Sequence, residues 1–299
     1  MLLVTESAPS NRRGYHGGYA QAGAPMGVIL ANIAFISVSL LTTEESFLSW
    51  GWRIPFIISF VLVIISMYIQ LKLEDTKAFQ ELEASKTAEN NDSKVVRTSP
   101  ILEALKRYPR RISLAAGAFL SVQVTFYILV AFVLAYGVET TSLSRNDLLT
   151  AVLIGSAIMV PTQFYFSDYS DKKGRKGIFM MGALLTAIWA FFLFPLIDTG
   201  NFYLVVLGVT GGLTFLGMMY GPQAAFFAEL FSTEVRYSGA SLGYQIGAII
   251  GGSFAPTIAT LLWTSYDIFW VSVYIAFASI ASLVSVYFLT ETYKTDLNE

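Results

Sequence analysis

Long apolar runs separated by short polar breaks dominate the chain. Eight such runs are drawn, over residues 17–41, 54–73, 112–138, 148–166, 177–196, 202–228, 240–263 and 268–290. Each is close to the roughly 20 residues that a helix needs to cross a bilayer core. None carries Asp, Glu, Lys or Arg at its middle. A stub, residues 1–5, precedes them and reads as the end of a further helix. Gly and Pro recur inside the runs (Gly23, Pro25, Pro161, Gly221, Pro222, Pro256), which membrane helices tolerate where neighbours satisfy the freed backbone groups. The pattern predicts an all-α polytopic membrane protein with eight full transmembrane helices plus a stub.

Composition and charge add an orientation. The chain is 55% hydrophobic and only 13% charged, whereas soluble domains carry about 25% charged residues. When alternate breaks are assigned to alternate sides of a bilayer, 17 of the 19 Lys and Arg residues fall on one side, and Arg53 and Arg145 on the other. Cationic loops stay in the cytoplasm, so the polar stretch 74–111 and the tail 291–299 are expected there. The stretch 74–111 reads as a solvated linker, with a regulatory or partner-docking segment as the alternative. A net charge of −2 gives no clustered basic surface for nucleic acid. With no cysteine and a single histidine, disulfides, thiolate metal sites and nucleophile–base pairs have little to build on, and neither an enzyme nor a metal site is expected. The first residues lack the basic start and the apolar length of a signal peptide.

The two ends of the chain echo one another. Glu6 and Glu229 stand 223 positions apart, as do Arg13 and Arg236, and after one residue of slippage Gln21, Gly23 and Gly27 match Gln245, Gly247 and Gly251. Parallel repeats of helical bundles mark one class of transporters. The basic turn around 168–176 has no partner 223 positions earlier, so the repeat implies about 110–130 further residues ahead of residue 1 in a complete pair of bundles.

Three short motifs carry chemistry. In Ser167-Asp168-Tyr169-Ser170-Asp171-Lys172-Lys173-Gly174-Arg175-Lys176, Gly174 suits a tight reversal and Asp171 can accept backbone N–H bonds at a helix N-terminus. Lys172 and Arg175 anchor the turn. It reads either as a latch between bundles or as a plain basic turn. Glu6 with Arg13, and Glu229 with Arg236, place a carboxylate and a guanidinium seven residues apart around a reversal. There they are expected to pair across the turn as a structural pin, with gating by Glu229 as the alternative.

The basic turn resembles the loop signature of the major facilitators, G-x-x-x-D-R/K-x-G-R-R/K, with Ser167 where Gly is usual. Thr42-Thr43-Glu44-Glu45, the stretch Ser49-Trp50-Gly51-Trp52-Arg53-Ile54-Pro55-Phe56, and the segments 220–231 and 235–245 are similar to the metabolite:proton symporter family within that group. The likeness covers nearly the whole chain. It implies a major facilitator-type helix bundle in which the runs are the fifth to twelfth of twelve helices. Residues 1–73 would then close a first bundle and 112–290 form a second. It further implies a monomeric carrier in a bacterial inner membrane that moves a small-molecule substrate with protons by alternating access. The proton gradient drives it and no cofactor is needed. The substrate class implied is a small organic acid such as shikimate or 2-oxoglutarate, with a proline/betaine-type osmolyte as the alternative. A non-transporting membrane fragment and an integral membrane enzyme are the readings outside that class. The family's acidic coupling groups would precede residue 1, so uptake is expected of a longer form and not of these 299 residues alone.

In the family, the helices corresponding to 112–138, 202–228 and 240–263 line the central cavity. The neutral polar residues there are the substrate candidates: Gln123 and Tyr127, four apart on one face with Ser121 and Thr125 nearby; Tyr220 and Gln223, flanking Gly221-Pro222; and Tyr244 with Gln245. Hydrogen bonding between helices is the alternative for each. Gln21 and Asn32 are further candidates. Trp263, Tyr266, Phe269 and Trp270 are expected at a membrane interface. His16 reads as a loop residue beside Arg13, with proton sensing the alternative.

Overall fold

A computed structural model of the chain describes residues 2–72, 100–232 and 235–294. Residue 73 of the second run, residues 74–99 of the central stretch and residues 295–299 of the tail lie outside the described residues. The described residues form helices without strands. A short helix α1 (Leu2–Glu6) leads through a 3-10 turn into α2 (Arg13–Leu41); α3 (Glu44–Ser49) and a second 3-10 turn lead into α4 (Ile54–Lys72). After α5 (Pro100–Arg107), α6 (Pro109–Tyr127) passes through a π turn, Ile128–Phe132, into α7 (Val133–Thr140). Then come α8 (Arg145–Lys173), α9 (Arg175–Asp198), α10 (Phe202–Glu229) and α11 (Arg236–Ala248). A second π turn, Ile249–Ser253, joins α11 to α12 (Ala255–Ser265), and α13 (Ile268–Phe288) closes the fold.

Eight continuous helical stretches are long and apolar enough to cross a membrane, one for each expected run. They outlast the apolar runs mainly where the charges lie. The run 148–166 sits in a helix from Arg145 to Lys173, and the run 240–263 in a stretch that begins at Arg236. Lys, Arg and Glu are good helix formers, so a helix continues past its apolar part until something stops it. At residue 174 the stop is glycine, with φ of 103°, a backbone region that L side chains rarely adopt. The expected loop 168–176 is therefore the last turns of one helix, a single glycine and the first turn of the next. The end of the expected loop 74–111 is likewise helical, in α5 and the start of α6. The last run is cut short, since α13 stops at Phe288 and Leu289 is extended.

Helices α6 and α8–α13 pack into one bundle with a core rich in phenylalanine: Phe119, Phe179, Phe194, Phe226 and Phe227 are fully buried. Between α6 and α13 the contact is polar. Ser121 Oγ lies 2.9 Å from Ser279 Oγ, and Ser282 Oγ accepts from the Ser121 N–H at 2.8 Å while donating to the Gly117 carbonyl at 2.8 Å. Such bonds average about 0.6 kcal/mol in a membrane interior. Ser121 therefore takes its interhelical alternative. Trp263, expected at an interface, packs on Tyr136 with ring centroids 5.1 Å apart, whereas Tyr266, Phe269 and Trp270 are exposed. Helix α2 lies along α8 and α10, and α4 has α2 as its main neighbour. Apart from Pro55 and the partly covered Ile54, α4 is uncovered and largely apolar on every side, the character of a helix set in apolar surroundings.

Candidate functional site

Two features stand out along the seam where α2 meets the bundle. The first is a cavity of about 270 Å³ lined by Ala24 of α2, Gln123, Phe126 and Tyr127 of α6, Leu216 and Tyr220 of α10, and Tyr244 of α11. Four of the six substrate candidates thus meet in one place. A π turn follows Tyr127 directly and another lies a little beyond Tyr244; such turns are frequent at functional sites because they re-aim side chains within a helix. The other two candidates fall elsewhere. Gln245 is exposed on α11, because successive residues on a helix point about 100° apart and Tyr244 takes the inward direction. Gln223 is fully buried outside the cavity lining, and neither polar atom of its amide has a hydrogen-bond partner among the described residues. Thr125 is buried as well and does not line the cavity.

One turn further along the same helices, the seam widens into a vestibule of about 560 Å³. It is lined chiefly by apolar side chains, with Asn32, Trp52 and Arg145 among them. Val28 follows Ala24 by four residues and Val130 follows Tyr127 by three, so the two spaces share α2 and the α6–α7 helix and lie stacked. The Gln21 amide binds the Tyr220 carbonyl at 3.1 Å and so ties the seam rather than facing the cavity.

The second feature closes the seam at its basic end. Arg175 is 1% exposed and forks onto Glu229, with Nε to Oε2 and Nη2 to Oε1 both at 2.9 Å. Its Nη1 reaches Asp171 and Ser170 at 2.8 Å each. Asp171 also accepts the N–H groups of Gly14 at 2.8 Å and Tyr15 at 2.9 Å. These lie in the first turn of α2, where N–H groups have no intrahelical acceptor. Two carboxylates thus share one guanidinium, and the positive end of α2, worth about half a charge, offsets the second. Gly14 is required here, since a Cβ at that position would fall on Arg175 Nη1 and within 2.8 Å of the Asp171 carboxylate.

The pairing at the second turn differs from the one expected. Glu229 binds Arg175, 54 residues away, and Arg236 binds Glu6 at 3.1 Å, 230 residues away. The Nε of Arg236 is taken up by the carbonyls of Ala228 and Phe231 at the end of α10, groups that a helix C-terminus leaves unpaired. Arg13 is buried at the head of α2. Lys172 stays outside the network, exposed and paired with Asp168 on the same helix face. His16 is half-buried between the rings of Tyr15 and Tyr19.

The tail supplies groups that no sequence pattern marked. Thr292, 2% exposed, donates to Glu229 Oε2 at 2.7 Å. Glu291 accepts the N–H groups of Arg175 at 2.9 Å and Lys176 at 3.1 Å, capping α9. Two hydroxyls flanking an acid just beyond the last apolar run were the available signal. Ser167 is buried at the α8–α10 contact, and a Cβ on Gly221 would lie 2.6 Å from its Oγ. The small residue missing from the turn signature is thus present on the facing helix.

Long helices packed around an inner cavity, with a charged cluster at one end, are an arrangement shared with the major facilitators. The family profile described as Major Facilitator Superfamily matches residues 1–242, and the chain belongs to that superfamily. It is 35% identical to the inner membrane metabolite transport protein YhjE of Escherichia coli K12, over 97% of this chain and 66% of that protein. It is 32% identical to the shikimate transporter of the same organism, over 91% of this chain and 61% of that protein. The chain therefore spans somewhat less than two thirds of the length of these relatives. Among solved structures, the proton:xylose symporter XylE bound to 6-bromo-6-deoxy-D-glucose shares the fold. The TM-score is 0.71 at 17% identity, covering 98% of this chain and 68% of that one.

Proposed function

We propose that the chain acts in secondary transport of a small organic acid, of the shikimate or 2-oxoglutarate class, with protons as the coupled ion and the basic end in the cytoplasm. The observation that carries this reading is the stacking along one seam: a vestibule, then a cavity with one amide and three phenols, then a charged closure. That is the layout of a carrier open to one side only. A cavity of about 270 Å³ lies near the lower end of the roughly 300–1,000 Å³ of small-molecule sites. Gln123, Tyr127, Tyr220 and Tyr244 bind hydroxyl and carboxylate oxygens. Asp171, Arg175 and Glu229 hold the cytoplasmic gate, with Glu6 and Arg236 beside them. When those bonds part, the bundles rock and the cavity changes sides.

Equilibrium binding of radiolabelled shikimate and 2-oxoglutarate to the chain in nanodiscs tests the substrate assignment. Saturable binding is expected, displaced by unlabelled acid and not by betaine. It should weaken about tenfold in Gln123→Ala or Tyr220→Phe, the scale of one lost hydrogen bond to a charged group. Displacement by betaine instead would transfer the site to osmolytes, and no saturable binding of either kind would end the reading. Proton coupling is tested by uptake into vesicles, using the chain alone and a chimera carrying the segment of YhjE that precedes its match. Uptake is expected of the chimera, and a protonophore should collapse it. Accumulation that ignores the protonophore would remove the coupling from the proposal.

A further inference from the structure

The vestibule holds one charged side chain among the described residues that line it, Arg145. Its position has no structural explanation. It is the first residue of α8, where the helix dipole opposes a cation. The helix start is already complete without it, because Ser144 and Asp147 form a reciprocal capping box. In that box the Ser144 N–H and hydroxyl reach Asp147 Oδ2 at 2.9 and 2.6 Å. Asp147 is thereby occupied. The other acids nearby, Glu44 and Glu45, stand on the first turn of α3 and do not line the space. The Arg145 guanidinium makes no hydrogen bond or ion pair among the described residues, and rests 5.7 Å above the ring of Phe47. An exposed cation without an ion pair among the described residues, in a chamber whose other lining is apolar apart from Asn32 and Trp52, creates a local positive potential. Apolar walls strengthen such a potential by keeping high-dielectric water away.

We propose that Arg145 makes the vestibule a capture site for small organic anions, so that a net negative charge is selected before the inner cavity is reached. The inference takes the direction of travel from the carrier reading above and adds the charge class of the ligand. It also narrows the choice between the two substrate classes, because a zwitterion such as betaine has no net charge for Arg145 to attract.

The chain has no cysteine, so a single introduced thiol can report the potential directly. Leu149 lines the vestibule one turn beyond Arg145, on the same helix face. Leu149→Cys in nanodiscs is treated with an anionic sulfonate-bearing and a cationic trimethylammonium-bearing methanethiosulfonate reagent. Each rate is divided by that for a Tyr203→Cys control at a fully accessible site. Cys at 149 is expected to favour the anionic reagent. Adding Arg145→Gln should slow the anionic reagent about threefold and speed the cationic one about threefold, a roughly tenfold change in the ratio, as for unit charges about 7 Å apart in water. Arg145→Lys should keep the preference, and 1 M salt should remove it. A ratio unmoved by Arg145→Gln would overturn the proposal. So would a thiol at 149 that stays unreactive while the one at 203 labels. The assay needs neither substrate nor transport. Failed shikimate binding would therefore leave the capture site standing, and a missing charge effect would leave the inner cavity standing.

Discussion

The seam between α2 and α8 runs the length of both helices, yet its two ends use different chemistry. At the basic end, α2 is held by charge-assisted bonds of 2.8 and 2.9 Å from its own first turn to Asp171, and Asp171 is held in turn by a buried arginine fork. At the opposite end, the polar contact between the two helices among the described residues is Asn146 Nδ2 to Ser39 Oγ, at 3.3 Å. A vestibule fills much of the remaining space there. Ionic hydrogen bonds are roughly twice as strong as neutral ones, and a buried charge cannot be left unpaired without a cost of several kcal/mol. Parting the basic end therefore costs the bonds of a whole buried network together. The other end can open by degrees. Under the proposed function, that asymmetry would let the basic end act as a gate that switches while the other end admits ligand.

The harshest way to break the comparison is Arg175→Leu. It leaves Glu229 and Asp171 buried without their guanidinium, and the expected loss is about 3–5 kcal/mol of folded-state stability. Thermal and SDS-titration unfolding in detergent both read it. The double variant Arg175→Leu with Glu229→Leu should recover part of the loss, since an apolar pair avoids the unpaired charge. A double variant whose loss equals the sum of the two single losses would show that Arg175 and Glu229 are not coupled.

Asp171→Ala is next in size. The Gly14 and Tyr15 N–H groups have no acceptor within α2, so their protection from hydrogen exchange reports the docking of Asp171 and nothing else. Hydrogen bonds to a charged group contribute about 1.5–3 kcal/mol. Exchange at these two amides should therefore accelerate by roughly 10- to 100-fold, while the middle of α2 stays protected. Unchanged exchange at residues 14 and 15 would separate Asp171 from the seam.

How much of this was legible beforehand follows from what each feature depends on. All eight spans were readable because the bilayer imposes a length and an apolar content on each helix separately, without reference to its neighbours. Helix ends were drawn short because charged turns are helical without being apolar, as Asp168 to Lys173 illustrate. The role of Gly174 was readable, since a reversal between adjacent helices is local. The partners of Glu229 and Arg236 were not. Spacing in the chain names nearby groups, whereas the choice between Arg236 and Arg175 was made by the docking of three helices and by carbonyls that claimed Arg236 first. Four cavity residues were readable by helix face and likeness to the family, and Gln245 was misplaced for want of a known rotation of α11. Thr292 and Glu291 sit in a tail with no periodicity, and only their contacts give them meaning.

Thr292→Val sharpens the comparison at lower cost. The substitution keeps the shape and removes one donor from Glu229 Oε2, which still accepts from Arg175 Nε. The expected loss is about 1.5 kcal/mol, the low end for a bond to a charged group, with a correspondingly modest rise in exchange at Gly14 and Tyr15 if the tail braces the charged cluster through Glu229. A drop in melting temperature without that rise would confine Thr292 to stabilising the tail.

Ser39→Ala should do least, and its small size is the point. The bond it removes is long, and Asn146 Oδ1 is already buried without a partner among the described residues, so this contact is incompletely satisfied even when made. A change within about 0.5 kcal/mol is expected. Exchange at Gly14 and Tyr15 should not move, because roughly 37 Å of helix, at 1.5 Å per residue, separates Ser39 from Gly14. A loss above 1 kcal/mol, or faster exchange at the far end of α2, would mean that the outer contact is a second lock coupled to the first. The two ends would then have to open in concert, and the vestibule could not admit a ligand while the basic end stays shut.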